Sequence, residues 1–115
     1  MTFDEYQKQA LTTDVFANQP GMRAVTNPAY IAKILGLVGE SGEVAEKYKK
    51  IIRDSREVSQ DDRRELLKEL GDVLWYIATL AHYLDSDFDS VATNNLAKLA
   101  DRQARNVIKA KGDNR

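Results

Sequence analysis

The chain has 115 residues, of which 43% are hydrophobic and 30% charged, with 17 basic against 18 acidic side chains. This length suits one compact domain, and the apolar fraction is too high for a disordered segment. A net charge of −1 provides no long-range attraction for nucleic acid or an anionic membrane, and the lack of cysteine excludes disulfides and thiolate chemistry. No apolar run approaches the roughly 18 residues of a membrane span. We therefore expect one soluble, cytoplasmic domain spanning residues 1–115, with neither a nucleic-acid nor a membrane partner.

Capping signals predict the first two helices. The Thr2–Glu5 segment has the pattern of a capping box and begins a first helix that runs to about Asn18. Asn27, followed by a proline at the first helical position, begins a second helix that continues to about Arg53.

Two further helices follow a polar loop. The Ser59–Asp62 segment begins a third helix that ends near Asp85, and Asp87 caps a fourth. The helical pattern weakens around Asn106, so we expect residues 109–115 to form an extended tail.

Apolar residues recur every three or four positions along the last three helices, which is typical of a buried helix face. We expect the following residues to face the core: Ile31, Ile34, Leu35, Val38, Ala45 and Ile52 on the second helix, Leu66, Leu67, Leu70, Val73, Leu74, Ile77, Leu80, Ala81 and Leu84 on the third, and Phe88, Val91, Ala92, Leu96 and Leu99 on the fourth. The sequence therefore predicts an all-α, four-helix bundle.

The apolar arc of the second helix is wider than one small bundle can cover. It extends from Leu35 through Leu37 and Val44 to Ile51, about 200° around the helix, whereas a surface helix needs roughly 100°. Trp75 also points away from the stripe of the third helix, which indicates a subunit contact. Because exposed apolar patches of this size mark interfaces, we expect a homo-oligomer, either a dimer or a tetramer.

Two pairs of carboxylates are spaced three residues apart, Glu40 with Glu43 on the second helix and Glu69 with Asp72 on the third. Residues at this spacing lie on one side of a helix, with Cβ atoms about 5–6 Å apart. If the two helices are antiparallel neighbours, four carboxylates surround one point at the edge of the core. Their mutual repulsion favours a bound cation, and oxygen-only ligands favour Mg²⁺ or Mn²⁺ over zinc. A solvated acidic surface is the alternative.

Three glycines interrupt the second helix, each at a cost of about 1 kcal/mol relative to alanine: Gly36, Gly39 and Gly42. The first two point to the same side as Glu40 and Glu43, and Lys47 continues that side. The glycines therefore let either a ligand or another helix approach closely.

The fourth helix has a basic face. Asn95, Lys98 and Arg102 align on one side of it, which indicates either an ordinary solvated surface or a binding surface for phosphate oxygens. Tyr76, one turn beyond Asp72, could stack on a nucleobase, although aromatic residues in helices more often belong to a core or an interface.

Taken together, these segments resemble a known family. Residues 36–46 (GLVGESGEVAE), followed by residues 69–76 (ELGDVLWY), resemble the MazG-like nucleotide pyrophosphohydrolases, and the resemblance extends over about residues 30–115. These all-α enzymes hydrolyse nucleoside triphosphates to the monophosphate and pyrophosphate. The spacing Asn95-x-x-Lys98-x-x-x-Arg102 and the closing residues 112–115 resemble the short, single-domain branch.

The resemblance implies roles for particular residues. The family's Mg²⁺-binding motif, Glu-x-x-Glu, a spacer and Glu-x-x-Asp, falls on Glu40, Glu43, Glu69 and Asp72. Glu43 is the first candidate for the carboxylate that accepts a proton from the attacking water, and Glu40 is the second. The expected substrate contacts are Lys47, Tyr76, Asn95, Lys98 and Arg102. The expected role is nucleotide-pool sanitising, with control of a signalling nucleotide as the alternative.

Two other functions are compatible with a charged helical bundle, but each fits these residues less well. A di-iron carboxylate bundle usually needs Glu-x-x-His on two helices, and the only histidine, His82, is preceded three residues earlier by Thr79. A non-enzymatic helical interaction protein, with its charges in surface ion pairs, would leave the glycines within the second helix unexplained.

Overall fold

Four helices form the regular structure of residues 1–19, 21, 24 and 26–110, which the computed structural model describes, the last four by their backbone alone. They are α1 (Phe3–Leu11), α2 (Pro28–Arg53), α3 (Gln60–Tyr83) and α4 (Phe88–Ala110). These residues contain no strand, so the predicted all-α fold is confirmed. No helix in this part of the chain combines the length and apolarity needed to span a bilayer.

The helix starts lie where the capping signals predict them. In each case the cap side chain accepts a hydrogen bond from a backbone N–H of the first turn, and the four caps are Thr2, Asn27, Ser59 and Asp87. The two capping boxes are complete, because the third helical residue also accepts a bond from the cap's own N–H. At the other end of the chain α4 continues to Ala110, so residues 109 and 110 are helical and not extended as predicted. Residues 111–115 of the predicted tail lie outside the described residues.

The first helix ends at Leu11, and its predicted extension to Asn18 is wrong. The hydroxyls of Thr12 and Thr13 donate to backbone carbonyls three residues back, at 2.6 and 2.7 Å. Such local bonds offer the backbone an alternative to further helical turns. Residues 12–19 therefore form a series of turns, which carries Asp14 into the interior.

A small core holds α1, α3 and the start of α4 together. Ala10, Ala78 and Phe88 are buried in it, and the ring of Tyr6 packs at their edge. The buried amide of Gln7 ties the three helices to one another. Its nitrogen donates to the carbonyls of Ala78 and Ser86 at 2.9 and 3.2 Å, and its oxygen accepts from the N–H of Phe88 at 3.2 Å.

The apolar stripe of α2 does not face the core of its own chain, contrary to the prediction. We call Ile31, Ile34, Leu35, Val38 and Ile52 the apolar face of α2. Leu35 and Val38 are 64% and 66% exposed, and the other three are exposed as well. At 100° per residue this face points roughly opposite to Glu40, on the side of α2 away from α3.

Several predicted core residues of α3 and α4 are exposed as well. The exposed members are Leu67, Leu70 and Leu84 on α3 and Val91, Leu96 and Leu99 on α4. Among the described residues α2 and α4 do not approach each other, since α4 packs only on α1 and α3. The radius of gyration is accordingly 18.4 Å, against about 13 Å for a compact domain of this length. A single chain thus leaves much of its apolar surface uncovered.

Gly36 is the glycine of α2 that the packing requires. A Cβ added there would overlap the ring of Tyr76 on α3, whereas a Cβ at Gly39 or Gly42 would meet nothing within 4 Å. The close approach that the sequence predicts therefore occurs at Gly36, with an aromatic ring as the neighbour.

Alanine substitutions at Gly36 and Gly39 should consequently act in opposite directions. Gly36→Ala forces Tyr76 to move, and overpacking of this kind costs about 1–3 kcal/mol. Gly39→Ala, the matched control, should stabilise the metal-free protein by up to about 1 kcal/mol through helix propensity. Urea unfolding measures both free energies. Equal stability of the two variants would contradict the packing of Tyr76 against Gly36.

Candidate metal and nucleotide site

Three carboxylates converge where α2 packs on α3. Glu40 of α2 and Glu69 and Asp72 of α3 each present an oxygen atom, and these three atoms lie within 4.8 Å of one another. We call them the carboxylate trio. The motif spacing places the two α3 members on one side of their helix, and the packing of α2 brings the third opposite them.

The trio concentrates negative charge. Partial burial and then the neighbouring charges of Asp72, Glu69 and Glu43 raise the pKa of Glu40 above its usual range. A cation would relieve this repulsion, and an all-oxygen donor set is the kind that Mg²⁺ and Mn²⁺ prefer. The residues present therefore fit a divalent metal centre.

Glu43 lies one turn beyond Glu40 and is exposed. It is not part of the trio, although its charge contributes to the raised pKa of Glu40. The structure thus gathers three of the four motif carboxylates, with the fourth beside them. The role of Glu43 as a metal ligand or as the base stays a prediction.

Lys47 connects the trio to its surroundings. Its Nζ lies 3.5 Å from Glu69 and 3.7 Å from Glu65, so it bridges α2 and α3. Beyond it lies a cavity of about 180 Å³, whose lining also includes Lys50, Arg56 and the acidic side chains of Glu65 and Asp62. Asp62 is paired with Arg56. This end of the site, toward the carboxyl terminus of α2, therefore carries three basic and two acidic side chains.

The opposite end of the site is aromatic. Tyr76 lies one helical turn beyond Asp72, with its ring against Gly36, and the Trp75 ring meets it edge-on at 5.0 Å between centroids. Trp75 makes contacts within its own chain, and the predicted subunit contact stays a prediction. Its indole packs beside the core and its Nε1 donates to the Thr13 hydroxyl at 2.8 Å.

A buried ion pair next to these rings escaped the sequence reading. Lys33 Nζ lies 3.0 Å from Asp14 Oδ1, and the Tyr83 hydroxyl donates a hydrogen bond to the other oxygen of Asp14. Burial acts to raise the pKa of Asp14, but the hydrogen bonds from Tyr83 and Lys33 outweigh it, and the pKa lies below its usual range. The signal available in the sequence was Lys33, a single lysine in a largely apolar turn of α2. Many surface lysines have the same surroundings in sequence.

The predicted phosphate-binding residues lie elsewhere in this chain. They are Asn95, Lys98 and Arg102, which are all exposed on α4. None of their side chains forms a hydrogen bond or an ion pair within the described part of the chain. A single copy of the protein therefore does not bring them into contact with the trio.

Comparison with known proteins identifies the family of this chain. The model of the MazG nucleotide pyrophosphohydrolase domain matches residues 30–107, a range that contains the trio, Glu43 and the basic residues of α4. The Gene 37 protein of Mycobacterium phage L5 is 43% identical over 116 residues, which cover the whole of both chains. No solved structure matches. The domain match spans well over half of the chain, and the chain therefore belongs to the MazG nucleotide pyrophosphohydrolase family.

Proposed function

We propose that this protein is a Mg²⁺-dependent nucleoside triphosphate pyrophosphohydrolase that converts a (deoxy)nucleoside triphosphate and water to the monophosphate and pyrophosphate. The observation that carries the proposal is the carboxylate trio on two packed helices of a MazG-family chain. A nucleotide-pool sanitising role fits a small enzyme of this kind.

The trio would hold the metal, with Glu43 as a further ligand. A bound Mg²⁺, or Mn²⁺ in its place, would neutralise phosphate charge and lower the pKa of a coordinated water. Glu43 is our first choice to accept the proton from that water, because it lies beside the trio and is open to solvent. Glu40 is the second choice. Attack at the α-phosphorus then releases pyrophosphate.

Positive side chains would bind the phosphate chain. Lys47 already lies at the edge of the trio, and Lys98 and Arg102 are free to reach a ligand from α4. Arginine can hold two phosphate oxygens at once, and Asn95 continues the same face of α4. Tyr76 would contact the nucleoside end of the substrate.

The active form would be a homo-oligomer, a dimer or a tetramer. The uncovered apolar face of α2 supports this proposal, because a second copy would bury it. Association would also allow the α4 basic face of one copy to complete the site of another.

A panel of nucleoside and deoxynucleoside triphosphates tests the proposed activity. We expect pyrophosphate release from at least one of them in Mg²⁺, and none in EDTA. If no triphosphate is cleaved in Mg²⁺, the proposal fails, and a non-enzymatic helical interaction protein becomes the better account. Such a protein would have ion pairs between neighbouring turns of a helix. Lys68–Glu65 on α3 and Lys49–Glu46 on α2 are pairs of this kind.

Removing the basic side chains of α4 should weaken substrate binding. Lys98→Ala and Arg102→Ala are each expected to lower the affinity for a non-hydrolysable triphosphate about tenfold, which corresponds to about 1.4 kcal/mol. Lys8→Ala is the matched control, since Lys8 is an exposed lysine of α1, outside the proposed site and the apolar face of α2. Isothermal titration calorimetry measures all three. Unchanged affinity in both α4 variants would make this face a solvated surface.

A further inference from the structure

The ion pair between Lys33 and Asp14 is unusually well enclosed. The Lys33 side chain is 8% exposed and that of Asp14 is 0% exposed. The carboxylate is fully occupied, because it accepts from Lys33, from Tyr83 and, at 3.1 Å, from the N–H of Phe16. Desolvating two charges is costly, and buried pairs are often replaceable by apolar residues without loss of stability. Stability alone is therefore a poor explanation for this pair.

Aromatic rings surround the ammonium group. Lys33 Nζ lies 4.1 Å from the centroid of the Trp75 ring, which is cation–π distance. Three further rings have their centroids within about 6 Å of it: Phe16, Tyr76 and Tyr83. The lysine thus connects the turns of residues 12–19 to the aromatic residues of α3.

One of these rings, that of Tyr76, lies close in the structure to the helical turns that carry the trio. Tyr76 follows Asp72 by one helical turn, and its ring lies against Gly36, one turn before Glu40. Thr13, next to Asp14, fixes the other side of Trp75 by accepting its Nε1–H. Lys33 occupies one face of the indole and Thr13 holds its edge, so the orientation of both rings depends on the turns of residues 12–19.

The site consequently has two unlike ends. On one side of the trio lie the basic side chains of Lys47, Lys50 and Arg56, together with Glu65 and Asp62, and on the other side lie aromatic rings. A nucleoside triphosphate has the same two ends, an anionic chain and a flat base. Aromatic side chains bind bases by stacking, which is worth about 1–3 kcal/mol per base in other proteins.

We propose that Lys33 and Asp14 are positioning residues for the nucleobase: the buried pair holds residues 12–19 against α3 so that Trp75 and Tyr76 form a fixed wall for the base. This inference rests on the proposed function. It makes base recognition depend on residues that touch neither the phosphates nor the metal ligands.

Two ligands separate base binding from phosphate binding. The first is a non-hydrolysable deoxynucleoside triphosphate, chosen from the panel that the wild-type protein cleaves, and the second is inorganic tripolyphosphate, which has no base. Both are titrated in Mg²⁺ by calorimetry. Trp75 is the only tryptophan of the chain, so its fluorescence reports directly on the proposed wall.

Two variants test the proposal. Lys33→Met/Asp14→Asn removes both charges of the buried pair, so neither is left unpaired. Thr13→Val leaves the pair in place and removes only the hydroxyl that holds Trp75, which keeps the test available if the double variant does not fold. Lys8→Met is the matched lysine control, at an exposed position of α1.

We expect the double variant to bind the nucleotide at least tenfold more weakly and tripolyphosphate within twofold of wild type. Its KM for the nucleotide should rise more than its kcat falls, and nucleotide should perturb Trp75 fluorescence less. Thr13→Val should show the same selectivity with a smaller change, and Lys8→Met should show none. Equal affinity for the nucleotide, or equal weakening for both ligands, would overturn the inference while leaving the pyrophosphohydrolase activity intact. Absence of triphosphate cleavage by the wild-type protein would instead remove the proposed function itself.

Discussion

Asp72→Asn is expected to lower the turnover of the best triphosphate by at least about 100-fold while the helices remain folded. The substitution keeps the shape of the side chain but removes one anionic ligand, which weakens or misplaces the metal that activates the water. Glu43→Gln should have a comparable effect through the loss of the proposed base. Turnover is measured at saturating Mg²⁺, and circular dichroism checks the helical content.

Stability without metal provides the second half of this test. The trio carries mutually repelling charges, so Asp72→Asn should melt in EDTA at the same temperature as the wild type or higher. Asp61→Asn is the matched control, because Asp61 is an exposed acid of α3 whose partner is Arg64 of the same helix. Its turnover should stay near wild type. Near-normal turnover of Asp72→Asn, or a clearly lower melting point in EDTA, would contradict the proposed ligand set.

The second large effect concerns assembly. Sedimentation equilibrium at micromolar concentration should give the mass of a dimer or a tetramer of the 13.0 kDa chain. Val38→Glu is expected to shift the protein to the monomer, because it places a charge in the centre of the apolar face of α2, where a partner would have to desolvate it. In a monomer the same change would be harmless, since Val38 is 66% exposed.

A control variant distinguishes a specific interface from general stickiness. Leu84→Glu changes an equally exposed leucine at the turn between α3 and α4, and it should leave the mass unchanged. We also expect Val38→Glu to lose activity if the α4 basic face acts across the interface. A wild-type protein that sediments at the monomer mass with full activity would refute the proposed oligomer.

Local signals in the sequence predicted the local structure well. The capping residues at all four helix starts act within three or four positions, so their outcome depends little on the rest of the fold. The same holds for the Glu69–Asp72 spacing, which places both side chains on one side of α3. Glu40 and Glu43 have the same spacing on α2, and the family resemblance assigned all four carboxylates to one metal-binding motif.

The face of α2 was predicted wrongly because hydrophobic periodicity does not say which partner covers a stripe. The side of α2 that packs on α3 carries Lys33, Glu40 and Lys47, while the apolar face points away from it. The proposed site, with the carboxylate trio, occupies the contact between α2 and α3, and the apolar residues of α2 lie on the opposite side of the helix. An interface between copies would restore the expected burial.

The buried pair was missed for a different reason. Asp14 lies in a stretch that the helical pattern assigned to α1, and only the Thr12–Thr13 turns carry it inward. Its partner Lys33 lies 19 positions further along the chain, and Tyr83, which completes the network, lies on α3. Contacts between such distant positions leave no periodic signal in one sequence.

Hydrolysis of the preferred triphosphate in ¹⁸O-labelled water, followed by ³¹P NMR, tests the central claim most directly. We expect one pyrophosphate for each nucleoside monophosphate, with the label in the monophosphate, and no reaction when EDTA replaces Mg²⁺. Release of orthophosphate together with the nucleoside diphosphate, or the absence of any product in Mg²⁺, would contradict the assignment of this protein as a nucleoside triphosphate pyrophosphohydrolase.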